Sequence, residues 1–377
     1  MIDFTSALYL GMEHPSRSLP GWDRLTLGKP AALEAPAHAQ QAETQLAELI
    51  GCERALLATS TLHLFWDLFS VLAQRNVNIF LDAGSYPIAR WGVERAAASG
   101  TVVKSFRQHD PVALQEALDS ADGKPPVIVA DGYCPGCGRS VPITEYLQLA
   151  AARGGCVVVD DSQALGIFGK PAPGAPYGSG GGGSMQRAGT GDGRLGSHGS
   201  LSNRLIVGAS LAKAFGVPVA VLAGSAAMVD EFEGKSATRV HCSPPSAAVI
   251  SAALRALAIN RWHGDTLRMR LARQVLRFRR GLRRLGLLAI PGLFPVQPLR
   301  LPNHINAETL GEDLSWRGVE GVLNRGVRGK NARISFVLTA RHSSLQIEQA
   351  VEQLAEALAI ETRIETRMGP RLKLERS

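Results

Sequence analysis

A chain of 377 residues exceeds the usual size of one hydrophobic core, so we expect two lobes. Hydrophobic residues make up 45% of the sequence and charged residues 20%, which is typical of an ordinary globular protein. The net charge of +8 has the sign of a nucleic-acid-binding protein, but the arginines are scattered and no nucleic-acid motif is present. We therefore expect no nucleic-acid partner.

Membrane, export and metal signals are weak. No run approaches the roughly 20 apolar residues of a membrane helix, and Met1–Phe4 lacks the basic region of an export signal. Five cysteines form an odd, sparse set, as in a reducing cytoplasm. Cys134 and Cys137 have CxxC spacing, but no second pair completes a zinc site. We expect a cytoplasmic protein with no membrane partner and no metal; the CxxC is interpreted as a loop after a strand, with a redox pair as the alternative.

A turn between a strand and a helix comes early in the chain. Arg54–Leu62 reads as a strand, a turn and the first residues of a helix, and Ser60, Thr61 and Leu62 occupy the turn. A helix N-terminus at this place is suited to binding an anion, although an ordinary helix cap has the same residues. The residues alone leave both interpretations open.

Apolar runs farther along read as buried strands. They are Asn78–Pro87, Val127–Tyr133 and Gly154–Gly166. The first leads into a loop with Tyr86, and the other two contain the acids Asp131 and Asp160 where the apolar residues end. Such continuous runs are typical of a parallel sheet covered on both faces. Ligands of these sheets bind at the carboxyl ends of the strands, where Asp160 is predicted to lie.

Residues 172–200 are rich in glycine, serine and proline and include the run Gly180–Gly183. A segment of this composition buries too little surface to order itself, so we predict a flexible insert acting as a lid or linker. A phosphate cradle is the weaker alternative, because the flanking strand and helix are missing.

Lys213 lies among small and apolar residues in Val207–Gly216. Burying an unpaired lysine charge costs several kcal/mol, so the surroundings need an explanation. The side chain either snorkels to water, or its amine is partly desolvated, with a lowered pKa that suits Schiff-base formation.

The last third of the chain reads as a smaller lobe. Val296–Leu301 predicts a short strand, which Pro298 would place at a sheet edge. We divide the chain into an N-terminal segment, residues 1–50, a large domain, residues 51–258, and a small C-terminal domain, residues 259–377.

Two motifs carry a resemblance to a known family. Asp160–Gly166 resembles the pattern Asp-x-x-His-x-x-Gly, and Ser210–Gly216 resembles Ser/Thr-x-x-Lys-x-x-Gly. Together, in this order, they are similar to the pyridoxal-phosphate (PLP) enzymes of fold type I, the aspartate aminotransferase superfamily. Within it the chain most resembles the α-oxoamine synthases, and the resemblance extends from about Phe4 to Leu358.

The resemblance implies an α/β fold of three layers. The large domain would contain a mostly parallel seven-stranded sheet that binds the cofactor, and the small C-terminal domain would be α+β. It also implies pyridoxal 5′-phosphate as cofactor and a homodimer with active sites at the subunit interface.

Roles at the cofactor ring are carried over by position. Lys213 would form the Schiff base and then act as general base on the substrate α-carbon. Asp160 would keep the ring nitrogen protonated. Gln163 takes the place of the family histidine; its amide can donate a hydrogen bond to the phenolic oxygen but cannot shuttle a proton. Tyr86 would stack on the ring, with a core tyrosine as the alternative.

The remaining roles concern anionic groups. Ser60, Thr61, Leu62 and Ser210 would hold the cofactor phosphate. Arg333 would hold the substrate carboxylate, because a guanidinium matches a carboxylate bidentately. A structural salt bridge is the alternative for Arg333.

Three functions are considered. The first is an α-oxoamine synthase that condenses an amino acid with an acyl thioester. The second is an aminotransferase, favoured by Tyr86, by Gln163 and by Ala7 and Leu8, which replace polar residues of the family. The third is a catalytically silent PLP-fold protein, against which the presence of both Lys213 and Asp160 argues. The synthase is placed first, with an amino acid or amine as substrate.

Overall fold

A computed structural model describes residues 1–20, 22, 25–189, 201, 203–324 and 332–368, with side chains to residue 359. The chain forms two compact units. The large unit comprises Leu10–Cys134 and Arg139–Arg268, and the small unit comprises Met1–Tyr9, Pro135–Gly138 and Met269–Ser377. The division falls after residue 268, inside a long helix, whereas the sequence pattern placed it after residue 258.

The strands of the described residues are β1 (Ile2–Phe4), β2 (Arg54–Ala58), β3 (Asn78–Asp82), β4 (Val103–Phe106), β5 (Pro126–Asp131), β6 (Tyr133–Cys134), β7 (Arg139–Ser140), β8 (Cys156–Asp160), β9 (Lys170–Ala172), β10 (Ala175–Ser179), β11 (Leu205–Ser210), β12 (Ala220–Gly224), β13 (Leu288–Ala289), β14 (Val296–Arg300), β15 (Val319–Asn324) and β16 (Arg333–Val337). The α-helices are α1 (Ala39–Ile50), α2 (Thr61–Ala73), α3 (Pro87–Ala98), α4 (Pro111–Asp119), α5 (Ile143–Ala151), α6 (Ser184–Arg187), α7 (Ala226–Lys235), α8 (Ala237–His241), α9 (Ala247–Arg284), α10 (Ala307–Trp316) and α11 (Ser344–Met368). Within the described residues, no helix is both long enough and apolar enough to cross a membrane.

The sheet of the large unit has the strand order β2-β12-β11-β8-β5-β3-β4. Neighbouring strands from β11 to β4 are parallel, whereas β12 is antiparallel to both β11 and β2. This arrangement confirms the predicted seven-stranded, mostly parallel sheet.

Apolar runs form the centre of this sheet. Val157–Val159 of β8 are at most 1% exposed, as expected of a strand covered on both faces. Helix α2 packs against β11, where a Cβ on Gly208 would lie 2.7 Å from the Phe65 ring. Gly208 therefore allows α2 to approach the strand that leads to Lys213.

The predicted flexible insert, residues 172–200, is structured where it is described. Strands β9 and β10 pair antiparallel, and α6 follows them. Tyr177 and Met185 are each 2% exposed, so the segment has its own buried side chains. The flexibility prediction was wrong for residues 172–189; residues 190–200 lie outside the described part of the chain.

Glycines in this segment permit close packing. A Cβ on Gly181 would lie 2.4 Å from Nη1 of Arg268, and a Cβ on Gly183 would lie 2.0 Å from Oδ2 of Asp161. Both glycines also have positive φ angles, 78° and 88°, which side-chain-bearing residues rarely adopt. Composition suggested freedom, whereas these positions require glycine so that buried polar groups can reach the backbone.

Arg268, on α9, is 2% exposed and holds the glycine-rich segment. Its Nη1 donates to the carbonyl of Gly166 and to Oδ1 of Asn260, both at 2.8 Å, and its Nη2 donates to Oδ1 of Asp265 at 2.7 Å. Asn260 Nδ2 donates to the carbonyl of Gly180 at 2.9 Å. One buried guanidinium thus joins α9 to the turn after β8 and, through Asn260, to the glycine-rich segment.

Asp161 forms a second tie between β8 and this segment. Its side chain is 2% exposed, its Oδ2 accepts the N–H of Ser184 at 2.9 Å, and its own N–H donates to the carbonyl of Gly208 at 2.8 Å. Burial raises the pKa of Asp161 to about 7; hydrogen bonds from Ser184 oppose the shift and the charge of Asp160 adds to it. The fold therefore favours the protonated form of this carboxyl.

The sheet of the small unit has the order β1-β15-β16-β14-β13, with β1 parallel to β15 and the other pairs antiparallel. Its core is aromatic: the ring centroid of Phe336 lies 4.9 Å from that of Phe278 and 5.4 Å from that of Phe4. The sheet with its helices gives the α+β unit that was predicted.

The predicted edge position of β14 was wrong, because β14 lies between β16 and β13. Pro298 pairs with Ser335 of β16. On the other side, β13 pairs only with Leu299 and Arg300, and the carbonyl of Pro298 accepts the N–H of Ile290 at 3.2 Å. The missing N–H of proline is tolerated here because the neighbouring strand is only two residues long.

We expect Arg268→Met to destabilise the large unit, because the carbonyl of Gly166 and the amide of Asn260 lose a buried charged donor. The free energy of unfolding should fall by about 2–3 kcal/mol, and amide exchange in residues 180–184 should accelerate. Chemical denaturation and hydrogen exchange measure the two effects. Arg270→Met changes an exposed arginine of the same helix and should shift stability by less than about 0.5 kcal/mol. Equal effects of the two variants would contradict the assigned role.

Because the pKa of Asp161 is raised in the folded protein, this carboxyl should lower the folding stability as the pH rises. Below its unfolded value of 3.8 both states are protonated; between 3.8 and about 7 the unfolded chain loses the proton that the folded chain keeps. Folding stability from this group therefore falls by up to about 1.4 kcal/mol per pH unit in that window and stays lowered above it. Asp161→Asn, which carries no charge, should gain stability relative to the parent as pH rises from about 4 to 8. Urea denaturation across this range measures the difference, and a constant difference would contradict the prediction.

Candidate active site

The carboxyl ends of neighbouring strands bring the predicted residues together in the large unit. Gly208 of β11 is opposite Asp160 of β8, and Asp160 is opposite Asp131 of β5. Ser210 ends β11, and the turn that follows contains Lys213. The lysine and two acids therefore lie at one edge of the sheet, as the strand pattern predicted for Asp160.

A buried carboxylate, Asp160, and a half-buried one, Asp131, adjoin at this edge. Asp160 is 6% exposed, and its Oδ1 accepts the N–H of Ser162 at 3.0 Å. Both oxygens of Asp131 accept the N–H of Tyr86, at 3.0 and 3.1 Å. Burial raises the pKa of both carboxyls. At Asp160 the hydrogen bonds with Ser162 oppose this shift most strongly, and at Asp131 the charge of Asp160 raises the pKa further. The charge of Lys213 opposes both shifts, so a cation at this edge is favoured.

Lys213 is half-buried, and burial lowers the pKa of its amine. The charges of Asp160 and Asp131 act in the opposite direction but do not cancel the effect of burial. A lysine with a lowered pKa has a larger neutral fraction, which is the form that attacks a carbonyl or accepts a proton. This geometry supports the desolvated-amine interpretation over simple snorkelling.

The turn that carries Lys213 is fixed by its neighbours. The N–H of Val217 donates to the carbonyl of Leu211 at 3.1 Å, which closes the turn. Nε2 of His14 lies 2.8 Å from the carbonyl oxygen of Phe215. A Cβ on Gly166 would lie 2.5 Å from Cβ of Ala214, so the turn after β8 packs directly against the lysine turn.

Gln163 and Ser210 occupy these two turns. Gln163 is half-buried and lies in the turn that follows Asp160. Ser210 donates its N–H to Oγ of Ser162 at 2.9 Å, and its own Oγ accepts the N–H of Ala212 at 3.2 Å. The hydroxyl of Ser162 therefore links the strand of Lys213 to the turn of Gln163.

The N-terminus of α2 lies at the same sheet edge. Ala58, the last residue of β2, is opposite Ala220 of β12, which is in turn opposite Ser210 of β11. Helix α2 begins three residues after Ala58. Its positive end therefore lies on the side of β11 away from Asp160.

Ser60 caps this helix. Its Oγ accepts the N–H of His63 at 3.4 Å and lies 2.8 Å from Nδ1 of the same histidine. Thr61 and Leu62 are the first helical residues, so their N–H groups have no acceptor within the helix. They are suited to an anion, as the sequence predicted for this turn.

Tyr86 belongs to the large unit, whereas Arg333 belongs to the small unit. Tyr86 precedes α3, its N–H is held by Asp131, and its side chain is 55% exposed, so it is not a core tyrosine. Arg333 belongs to the small unit, where it begins β16 and is exposed. The edge of the large sheet gathers the other predicted residues but does not include Arg333.

Sequence reasoning missed contacts that shape the site. The link from Ser162 to Ser210 was not predicted, although a serine two residues after a strand-ending aspartate is a common turn pattern. The bond between Asp131 and Tyr86 joins residues 45 positions apart. The contact of His14 joins residues 201 positions apart, and no local signal indicates it.

The residues at this edge fit PLP. A buried carboxylate with a raised pKa is suited to a pyridinium N–H, since a facing cation relieves its burial. An amine with a lowered pKa is suited to an aldehyde, and a helix N-terminus to a phosphate. Asp160 ends β8, Lys213 follows β11, and α2 begins after β2, so the three groups lie at the same edge of the sheet.

Comparison with known proteins agrees with this geometry. The family described as "Aminotransferase class I and II" matches residues 23–354. A curated relative, an 8-amino-7-oxononanoate synthase of Chromobacterium violaceum, is 30% identical over 359 residues, which cover 92% of this chain and 86% of the relative.

Solved structures show the same fold. A serine palmitoyltransferase of Sphingomonas wittichii matches with a TM-score of 0.80 at 18% identity, over 96% of this chain and 88% of the other. An 8-amino-7-oxononanoate synthase of Francisella tularensis matches with a TM-score of 0.75 at 21% identity, over 96% and 99%. The chain therefore belongs to the aminotransferase class I and II family, and it is a PLP-dependent transferase of the α-oxoamine-synthase type.

Proposed function

We propose that the protein condenses an amino acid with an acyl thioester, and that Lys213 is the residue that binds PLP. The observation that carries the proposal is the half-buried amine of Lys213 at the carboxyl edge of the sheet, where the buried carboxylate of Asp160 and the half-buried one of Asp131 oppose the lowering of its pKa. The similarity to an 8-amino-7-oxononanoate synthase over 92% of the chain supports condensation as the reaction.

When bound, the cofactor would supply an electron sink that makes the substituents on the α-carbon of an amino acid easier to remove. Lys213, with its lowered pKa, then accepts or returns a proton at that carbon. The carboxylate of Asp160, which is oriented by the N–H of Ser162, would hold a proton on the ring nitrogen. Burial strengthens this interaction because water does not screen it.

Other residues hold the ligand. The N–H groups of Thr61 and Leu62, with the hydroxyls of Ser60 and Ser210, would bind the phosphate. Gln163 would donate to the phenolic oxygen.

Two side chains would complete ligand binding. The ring of Tyr86 would cover the cofactor, since it is exposed while its backbone is fixed by Asp131. The guanidinium of Arg333 would hold the substrate carboxylate.

An aminotransferase is the second candidate. Gln163 cannot act as the proton shuttle that a histidine in its place provides, and Tyr86, with Ala7 and Leu8 in place of polar residues, favours the same alternative. In that reaction Lys213 would move a proton between the α-carbon and the cofactor's C4′ instead of serving a condensation. A silent PLP-fold protein is disfavoured, because the lysine and both carboxylates are arranged to interact.

We also propose a homodimer located in the cytoplasm. Large apolar side chains are exposed on α2 and at the start of α3: Leu62, Trp66, Tyr86 and Trp91 are 40%, 38%, 55% and 48% exposed. A second copy covering this surface would bring the subunit boundary to Tyr86 and the N-terminus of α2. All five cysteines are free thiols, which supports a reducing compartment.

We expect Lys213→Ala to abolish covalent PLP binding. The parent protein incubated with PLP should show a visible absorbance band that borohydride fixes to the chain, and peptide mapping should locate the label at Lys213. The variant should bind PLP reversibly and carry no label after reduction. Lys170→Ala, which removes an exposed lysine, serves as control. Labelling of the Lys213 variant at the parent level would contradict the assignment.

Asp160→Asn should slow turnover by about 100- to 1000-fold, because it removes the charge that stabilises a protonated ring nitrogen. PLP binding should persist, since lysine and phosphate contacts remain. Asp131→Asn retains an acceptor for the N–H of Tyr86 and should cost about tenfold at most. Steady-state kinetics with PLP content measured in parallel separates the two effects. A larger loss at Asp131 than at Asp160 would reverse the assigned roles.

Product analysis separates the two reactions. Condensation releases a free thiol from the thioester when an amino acid is supplied, and a thiol reagent measures it. Transamination converts an oxo acid to an amino acid without any thioester. Turnover of an amino donor with an oxo acid alone would replace the synthase proposal by the aminotransferase.

A further inference from the structure

The small unit contains a cavity of 960 Å³ with basic and apolar walls. Arg300, Arg333 and His304 are among its lining residues, and Ile290 and Ile305 contribute apolar surface. Glu308 is the acid among the described lining residues. The cavity is large enough for a small organic anion.

Strand register places the two arginines side by side. Pro298 of β14 is opposite Ser335 of β16, and the strands are antiparallel. Arg300 lies two residues after Pro298, and Arg333 lies two residues before Ser335. Counting along both strands makes Arg300 and Arg333 cross-strand neighbours on one face of the sheet.

Their other cross-strand neighbours bring no negative charge. Arg333 is opposite Asn324 of β15, and Arg300 is opposite Leu288 of β13. Within the part of the chain that the structure describes, neither guanidinium has an ion-pair or hydrogen-bond partner. Like charges directly opposite each other destabilise a sheet, so this pair carries an unfavourable repulsion.

An anionic ligand would remove that repulsion. We propose that the cavity binds a small molecule with two anionic groups, one held by Arg300 and the other by Arg333. A single carboxylate would neutralise one arginine and leave the other, whereas two groups neutralise both. The apolar walls then accommodate the short hydrocarbon segment between the groups.

This inference rests on the proposed function for its biological meaning, because Arg333 is the residue proposed there to hold the substrate carboxylate. Binding of the anion to the cavity can be measured without any PLP chemistry, so the two proposals fail separately.

Calorimetry on the PLP-loaded protein tests the cavity with glutarate and butyrate. Glutarate has two carboxylates separated by three methylene groups. Butyrate has one carboxylate on a chain of three carbons, and neither molecule has an amine. We expect glutarate to bind at least about tenfold more tightly, and added salt to weaken it. Arg300→Gln and Arg333→Gln should each remove this preference. Arg284→Gln, which changes an exposed arginine of α9, should keep it.

If the parent binds glutarate and butyrate equally, or if Arg300→Gln keeps the preference for glutarate, the inference is wrong. If no reducible PLP band forms at Lys213 while glutarate still binds selectively, the proposed function fails and the cavity remains a dianion site.

Discussion

The partly buried charge cluster of Lys213, Asp160 and Asp131 is the constraint on which the rest of the large unit depends. Parallel strands bring these groups to one edge, where burial lowers the pKa of the amine and raises those of the acids. Each ion is costly to keep there without a counter-ion, so the surrounding turns must hold all three in place. Ser162 and the backbone of Tyr86 provide that support by donating hydrogen bonds to the two carboxylates.

Much of this arrangement could be predicted from the sequence. Continuous apolar runs before Asp131 and Asp160 indicated buried parallel strands, and both acids lie where those strands end. Ser60 indicated a helix cap and caps α2. Local pattern was sufficient in these cases because each feature depends on residues close in the chain. Contacts such as that of His14 with Phe215 depend on the folded path and leave no periodic signal.

The glycine-rich segment shows where composition fails. Glycine is common in disordered chains and also where a backbone must pass close to another group, and frequency does not separate the two. The structure orders this segment through buried polar groups: Asp161 accepts the N–H of Ser184, and Asn260, held by Arg268, donates to the carbonyl of Gly180. The predicted edge position of the strand with Pro298 was wrong for a similar reason. Proline has no N–H to donate to a neighbouring strand, and β13, which is two residues long, requires no donor at that position.

The ties of Ser184 to Asp161 and of Arg204 to Gly155 have a practical meaning for engineering. Nη1 of Arg204 donates to the carbonyl of Gly155 at 2.9 Å, so the chain is fastened near both ends of β8 before and after residues 185–203. Met185 and Gln186, which follow Ser184 directly, are 2% and 7% exposed. An affinity tag or a fluorescent reporter inserted next to Ser184 would therefore displace buried side chains and loosen the tie to Asp161, one residue from Asp160.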